Sequence, residues 1–235
     1  MRGNWREKAL LTGGAEDEMP SVYQLKPAFQ GLLRPLTRAL ARAGVTANQV
    51  TLAALVLSLA TGLAIAWRPG ERWPLLLLPA VLFVRMALNA IDGMLAREHG
   101  MKSALGAILN ELGDVVADAG LYLPLALVPG FEPRLVVAVV LLAVISEMTG
   151  VIGVQIGASR RYDGPSGKSD RAFLVGLLAL VLGLGAPAGG WVSLVLALMA
   201  LLLAVTIVNR ARQALREVRL HAPPAGETSS PPRQP

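Results

Sequence analysis

The sequence predicts an all-α polytopic membrane protein, with six transmembrane helices preceded by an amphipathic juxtamembrane helix. Three observations carry this. Of the 235 residues, 54% are hydrophobic and 16% charged, and the mean hydropathy is +0.53; soluble domains are about 25% charged. Successive apolar runs approach the roughly 20 residues needed to cross hydrocarbon, and their connections are short. Two of these runs contain Asn89, Asp92, Asn110, Asp114 and Asp118. Carboxylates at bilayer depth are costly, so they mark function.

Residues 1–21 read as a flexible cytoplasmic N-terminus. They include Glu16, Asp17 and Glu18 and no apolar core, so no cleavable signal peptide is expected and the first span must direct insertion. Residues 22–43 read as an amphipathic interfacial helix. Leu25, Phe29, Leu32, Leu33, Leu36 and Leu40 alternate with Lys26, Arg34, Arg38 and Arg42. A helix packed on the protein itself would give the same pattern. Pro27 suits a first helical turn, whereas Pro35 would bend or interrupt the helix.

Gly44 should end that helix, and Thr46-Ala47-Asn48 can cap the next. The expected spans are 49–67, 74–96, 103–128, 134–157, 171–187 and 191–209. The fifth is the shortest, with Gly183, Gly185, Gly189 and Gly190 crowding its far end. Together the spans form one membrane domain over 44–212. Residues 213–235 read as a cytoplasmic, largely disordered tail, proline-rich from His221 onward. No internal repeat is evident.

The net charge is +6 and the pI near 10.3. Basic residues cluster beside the apolar runs and aromatics are only 5%, which favours membrane lipids and phosphate-bearing substrates over nucleic acid. There is no cysteine, so disulfides and thiolate metal sites are excluded. Of the 22 Lys and Arg residues, Arg68, Arg72 and Arg134 fall on one side of the expected topology, Arg85 lies within a span, and the rest fall on the other side. This asymmetry predicts a multi-pass protein of the cytoplasmic membrane with both termini inside.

The polar residues read N89-A-I-D92-G93-M-L-A96-R97, then eight residues, then G106-A-I-L-N110-E-L-G-D114. Asn89 and Asp92, three apart, share a helix face. Gly93 and Ala96 leave room for a close helix or a phosphate. Gly106, Asn110, Asp114 and Asp118 recur every four residues as a small and polar stripe. Two such stripes face to face would gather oxygen ligands for a divalent cation of the kind that accompanies a diphosphate.

This spelling resembles the CDP-alcohol phosphatidyltransferase family, whose pattern is D-x2-D-G-x2-A-R-x8-G-x3-D-x3-D. Asp92, Gly93, Ala96, Arg97, Gly106 and Asp114 match it with the family's spacing. The likeness extends to T46-A-N48-Q-V-T51 and to G167-K168. It implies transfer of a phosphatidyl-type group from a CDP-linked lipid such as CDP-diacylglycerol to a hydroxyl acceptor, with release of CMP, by a six-helix membrane protein acting as a homodimer. It further implies that Asn89, Asp92, Asn110 and Asp114 share ligation of Mg²⁺ or Mn²⁺, that Asp114 is the base for the acceptor hydroxyl, and that Gly93, Ala96 and Arg97 serve the cytidine diphosphate, with Lys168 meeting phosphate.

The chain departs from the family at Asn89 and Asn110, which replace its first and third aspartates. An amide oxygen can ligate but carries no charge. Glu111 and Asp118 are candidates to restore that charge. Arg160, Arg161 and Lys168 favour a phosphorylated acceptor, although positive-inside charge accounts for them equally. Asp92 could instead be a structural partner of Arg85, seven residues earlier. Glu147 could line a substrate cavity or bond neighbouring hydroxyls, and Gly150, Gly153 and Gly157 suit close helix packing. G164-P-S-G167-K168-S169 has the wrong spacing for a Walker loop. His99 and His221 are too far apart for zinc. A polar-lined transporter or a catalytically lapsed scaffold is the reading of a different class; metal-dependent donor binding followed by CMP release separates it from the transferase.

Overall fold

The computed structural model describes residues 22–221. The expected flexible N-terminus and the proline-rich segment after His221 lie outside the described residues. The described chain is all-α: α1 Val22–Arg42, α2 Ala47–Trp67, α3 Trp73–Glu98, α4 Ala104–Tyr122, α5 Pro133–Gln155, α6 Lys168–Gly183 and α7 Gly190–His221. A 3₁₀ turn, Leu123–Leu127, follows α4.

The expectation of six transmembrane helices is corrected. Among the described residues, four helices are long and apolar enough to cross a membrane: α2, α3, α5 and α7. The physical reasons are local. α4 carries Glu111, Asp114 and Asp118, and at Leu123 it gives way to the 3₁₀ turn, where Pro124 cannot donate to the helical ladder. α6 has only 16 residues. Its end is set by Gly185, at φ +100, with the Ala186 amide donating to the Val181 carbonyl in a helix-terminating turn.

The expectation of a separate amphipathic helix on the membrane surface is also corrected. α1 docks on the protein. Leu33, Leu40 and Ala41 pack with Ile91, Met94 and Leu95 of α3, and Arg34 pairs with Glu98 at 3.0 Å. Pro35 removes one ladder hydrogen bond without ending α1. Gly44, at φ +79, turns the chain into α2. There Thr46 and Gln49 form a reciprocal capping box.

α2 packs on α3 and α4, α3 on α6, and α5 on α7. The α2–α4 approach is backbone-close: a Cβ on Gly62 would fall 1.9 Å from the Gly120 carbonyl oxygen. Gly176 lets α6 lie against Pro79 and Leu82 of α3. The larger apolar core joins Ile65, Leu78, Leu121, Val139, Leu178 and Leu203. A smaller one joins Ala47, Val50, Ile91, Met94 and Leu95. Only 28–33% of each spanning window is buried, and outward residues such as Leu63, Leu141 and Leu194 are exposed. An apolar outer surface on apolar helices is what a lipid solvent requires.

Candidate active site

The candidate site lies where the C-terminal half of α3 faces the N-terminal half of α4. Ser103 caps α4 by accepting the Gly106 amide at 2.9 Å, so α4 starts only a short turn after α3 ends. A Cβ on Gly106 would meet the Asn48 side-chain oxygen at 2.8 Å, so this glycine lets the start of α2 close over α4. Thr51, one turn into α2, donates its hydroxyl to Asp92 Oδ2 at 2.9 Å. Asp92 is thereby fixed although it is only 5% exposed.

A cavity of about 680 Å³ opens here, lined by Asn48, Thr51, Asp92, Gly93, Ala96, Arg97, Gly106 and Asn110, with Lys102 at its edge. The structure thus brings Asp92, Gly93, Ala96 and Arg97 of α3 and Asn110 of α4 together around one cavity. Asn89 and Asp114 stand beside it, linked by Asn89 Nδ2 donating to Asp114 Oδ1 at 3.3 Å. Lys168, the first residue of α6, pairs with the same oxygen of Asp114. Asn89, Arg85 and Lys168 also head a second cavity of about 460 Å³, whose other walls include Leu82, Phe83, Met86, Phe173, Leu177 and Leu180. One cavity is polar and the other apolar, and Asn89 and Lys168 lie between them.

Asp92 does not pair with Arg85. The Arg85 guanidinium reaches Asp118 Oδ1 at 2.5 Å and the Asp114 backbone carbonyl at 3.2 Å. Asp118 is therefore locked between helices: its Oδ2 accepts from Arg171 of α6 at 3.0 Å. Arg171 also bonds Glu147 of α5 at 3.2 Å, and Glu147 meets Arg210 of α7 at 3.5 Å and Arg160 at 3.3 Å. Glu147 thus sits among arginines rather than hydroxyls. Glu111 pairs with Arg160 at 2.5 Å. Neither Glu111 nor Asp118 lines the polar cavity.

Sequence reasoning missed the arginines as a group. Arg171 and Arg210 are each 1% exposed, yet by position alone they counted among the loop and tail charges. The available signal was an arginine at the border of an apolar run, where the continuing helix can carry the charge to a buried partner. The glycines of α5 also have another use. The Arg161 amide donates to the Gly150 carbonyl, and a Cβ on Gly150 would meet the Arg161 carbonyl oxygen at 2.6 Å, so the loop after α5 folds back on that helix. In that loop Arg161 pairs with Asp163 at 2.7 Å and with Glu217 at 2.5 Å. The Arg161 hydrogen bonds hold Asp163 below the usual carboxylate range.

The donor set suits a divalent cation that prefers oxygen. Asp92 and Asp114 supply carboxylates from facing helices, and Asn89 and Asn110 can add amide oxygens. Among the described residues no three His, Cys, Asp or Glu side chains gather at one point, so the charge offered is that of two carboxylates. The Lys168 ammonium on Asp114 shows that this carboxylate draws a cation.

A model of the CDP-alcohol phosphatidyltransferase family matches residues 44–215. Inner membrane protein YnbA of Escherichia coli K12 is 46% identical over 195 residues, 83% of this chain and 96% of that one. The phosphatidylinositol phosphate synthase of Mycolicibacterium smegmatis is 32% identical over 152 residues, 62% of this chain and 66% of that protein. Among solved structures, the phosphatidylinositol phosphate synthase of Mycobacterium tuberculosis with CDP-DAG bound superposes with a TM-score of 0.65 at 22% identity, over 83% of this chain and 97% of that one. Its complex with manganese and citrate gives 0.66 at 21% identity, over 77% of this chain and 88% of that one.

Proposed function

The chain belongs to the CDP-alcohol phosphatidyltransferase family, and on that premise we propose that the cavity between α3 and α4 transfers a phosphatidyl group from CDP-diacylglycerol to an alcohol hydroxyl, releasing CMP. The observation that carries this reading is convergence. Asp92, Gly93, Ala96, Arg97 and Gly106, five of the six positions matching the family spelling, line one polar cavity.

Gly93 and Ala96 give the cytidine diphosphate close access to α3, and Arg97 meets its charge. A Cβ on Gly93 would lie 3.0 Å from an Arg97 guanidinium nitrogen, so the glycine also leaves that side chain its place. Lys168 reaches the diphosphate from α6. The apolar cavity beside Asn89 takes acyl chains. Asp92 and Asp114, with the Asn89 and Asn110 amides, hold a divalent cation, Mg²⁺ or Mn²⁺. That ion, when bound, neutralises diphosphate oxygens and polarises the phosphorus. Asp114 accepts the acceptor hydroxyl's proton as the oxygen bonds to the phosphorus carrying the diacylglycerol. The bond from that phosphorus to the bridging oxygen breaks, and CMP leaves with the electron pair.

The placement follows from the same chemistry. The site end carries Arg97, Lys102 and Arg160 and meets lipid headgroups at the cytoplasmic face of an inner membrane, with both termini inside. The family domain occupies 44–212 and works as a homodimer, with flanking segments on the cytoplasmic side. Purified protein, CDP-diacylglycerol and a panel of alcohols test the reading. CMP and a new phospholipid should appear together and require a divalent cation; donor hydrolysis or turnover without any alcohol consumed would reject it.

A further inference from the structure

We infer that the acceptor alcohol is uncharged, a polyol rather than a phosphorylated alcohol. This rests on the transferase reading and specifies its second substrate. A phosphorylated acceptor needs cations with charge to offer beside Asp114. The candidates are Arg85, Arg160, Arg171, Arg210 and, farther out, Arg161. Each is engaged by an internal carboxylate: Arg85 by Asp118, Arg160 by Glu111 and Glu147, Arg171 by Asp118 and Glu147, Arg210 by Glu147, and Arg161 by Asp163 and Glu217.

The pairing is close. Arg160 holds Glu111 through two bonds, Nε at 2.6 Å and Nη2 at 2.5 Å. A phosphate brought to Arg160 would sit against the Glu111 carboxylate, or would have to break a two-point bond in a low-dielectric setting. Arg85, Arg171 and Arg210 are 3%, 1% and 1% exposed, and Nη1 of Arg160 and Nε and Nη1 of Arg171, which lack a protein partner, are buried. The space beside Arg171 is about 10 Å³, room for a water and not for a phosphate.

Arg97 and Lys102, which carry no such carboxylate among the described residues, line the polar cavity on the donor's side. Lys168 is assigned to the donor as well. Arg85, Arg160, Arg171 and Arg210 share the three carboxylates of Asp118, Glu111 and Glu147, but the surplus charge lies among buried side chains, so accessible cationic charge is provided for one diphosphate and not for a second phosphate. A hydroxyl compound without charge can bind the same region through the outer lone pairs of Glu111 and Glu147, each of which remains partly exposed. Alcohol hydroxyls are good donors to carboxylates, and like charge would exclude a phosphate from the same place.

The test pairs each uncharged polyol with its phosphate ester: glycerol with glycerol 3-phosphate, inositol with inositol phosphate. Each is given to purified protein at saturating CDP-diacylglycerol and Mn²⁺, with CMP release and product mass as readouts. The uncharged member should have the higher kcat/KM by at least about tenfold. In Glu111→Gln, which removes the two-point bond and leaves Arg160 only its 3.3 Å contact to Glu147, the ratio should fall several-fold toward the phosphorylated member. The double variant Asp163→Asn, Glu217→Gln, which removes both carboxylates from Arg161 farther out, serves as the second variant where Glu111→Gln does not fold. Preference for the phosphate ester in the native protein overturns the inference and leaves the transferase reading standing. So does donor binding with no turnover of any uncharged alcohol. A ratio unmoved in the folded variant overturns the neutralisation argument. Absence of CDP-diacylglycerol binding, by calorimetry, is the outcome that instead removes the reading beneath it.

Discussion

Lys168 and Asp114 form an ion pair between the first residue of α6 and the middle of α4, where Asn89 also bonds the same carboxylate oxygen. An aspartate held this way by a lysine and an amide has a fixed orientation. The lysine can exchange the carboxylate for a donor phosphate when one arrives. On the proposed mechanism the pair would couple donor entry to release of the carboxylate assigned as base.

Asp114→Asn tests that proton role. General-base catalysis is worth roughly 10²–10⁴-fold, so turnover should fall by that much. Donor affinity should change less, since asparagine keeps one ligand oxygen. CMP release at saturating donor and metal provides the measurement. Asparagine already stands at 89 and 110, so a large loss at 114 identifies a distinct role; near-equal turnover removes Asp114 as base.

Asp92→Ala should weaken metal-dependent binding of CDP-diacylglycerol. It deletes one of the two carboxylates that converge on the cavity, and a divalent ion opposite a diphosphate depends on that charge. Calorimetry of donor binding with and without Mn²⁺ measures it. If the difference made by Mn²⁺ survives the substitution intact, Asp92 is not a ligand.

Asp118→Asn should act on stability. The Asp118 carboxylate lies between the Arg85 and Arg171 guanidiniums, and its side chain is 9% exposed. Removing the negative member of such a group leaves buried positive charge, at a cost of about 3–5 kcal/mol. Thermal unfolding in detergent, followed by tryptophan fluorescence, should show a lowered midpoint. Any folded fraction should retain donor binding, because Asp118 does not line the polar cavity. An unchanged midpoint would show that the ion-pair group is dispensable.

Orientation can be read chemically because the chain has no cysteine. His99→Cys, at the turn after α3, and Glu71→Cys, at the turn before it, are both in exposed positions. In sealed inner-membrane vesicles of known sidedness, a membrane-impermeant thiol reagent should reach His99→Cys from the cytoplasmic face and Glu71→Cys from the other, because α3 crosses between them. Labelling of both from one face would overturn the proposed topology.

The polar constellation was legible in the sequence because its geometry is local. Residues three and four apart share a helix face, so Asn89 with Asp92, and Gly106 with Asn110 and Asp114, had to form stripes wherever α3 and α4 went. Apolar composition likewise determined that the chain is helical and membrane-spanning, since lipid admits helices whose backbone groups are satisfied internally. Composition could not decide how many helices cross. α4 and α6 fall short because of Pro124, Gly185 and the acidic residues on α4, and a hydropathy window averages over such features. Tertiary structure alone decided where the charges go. Arg171 meets Asp118 from 53 residues away, and Arg210 reaches the Ser146 carbonyl from 64. No local spacing encodes those pairs. They arise because each buried guanidinium must find a carboxylate or carbonyl when the helices assemble in a medium that cannot solvate it.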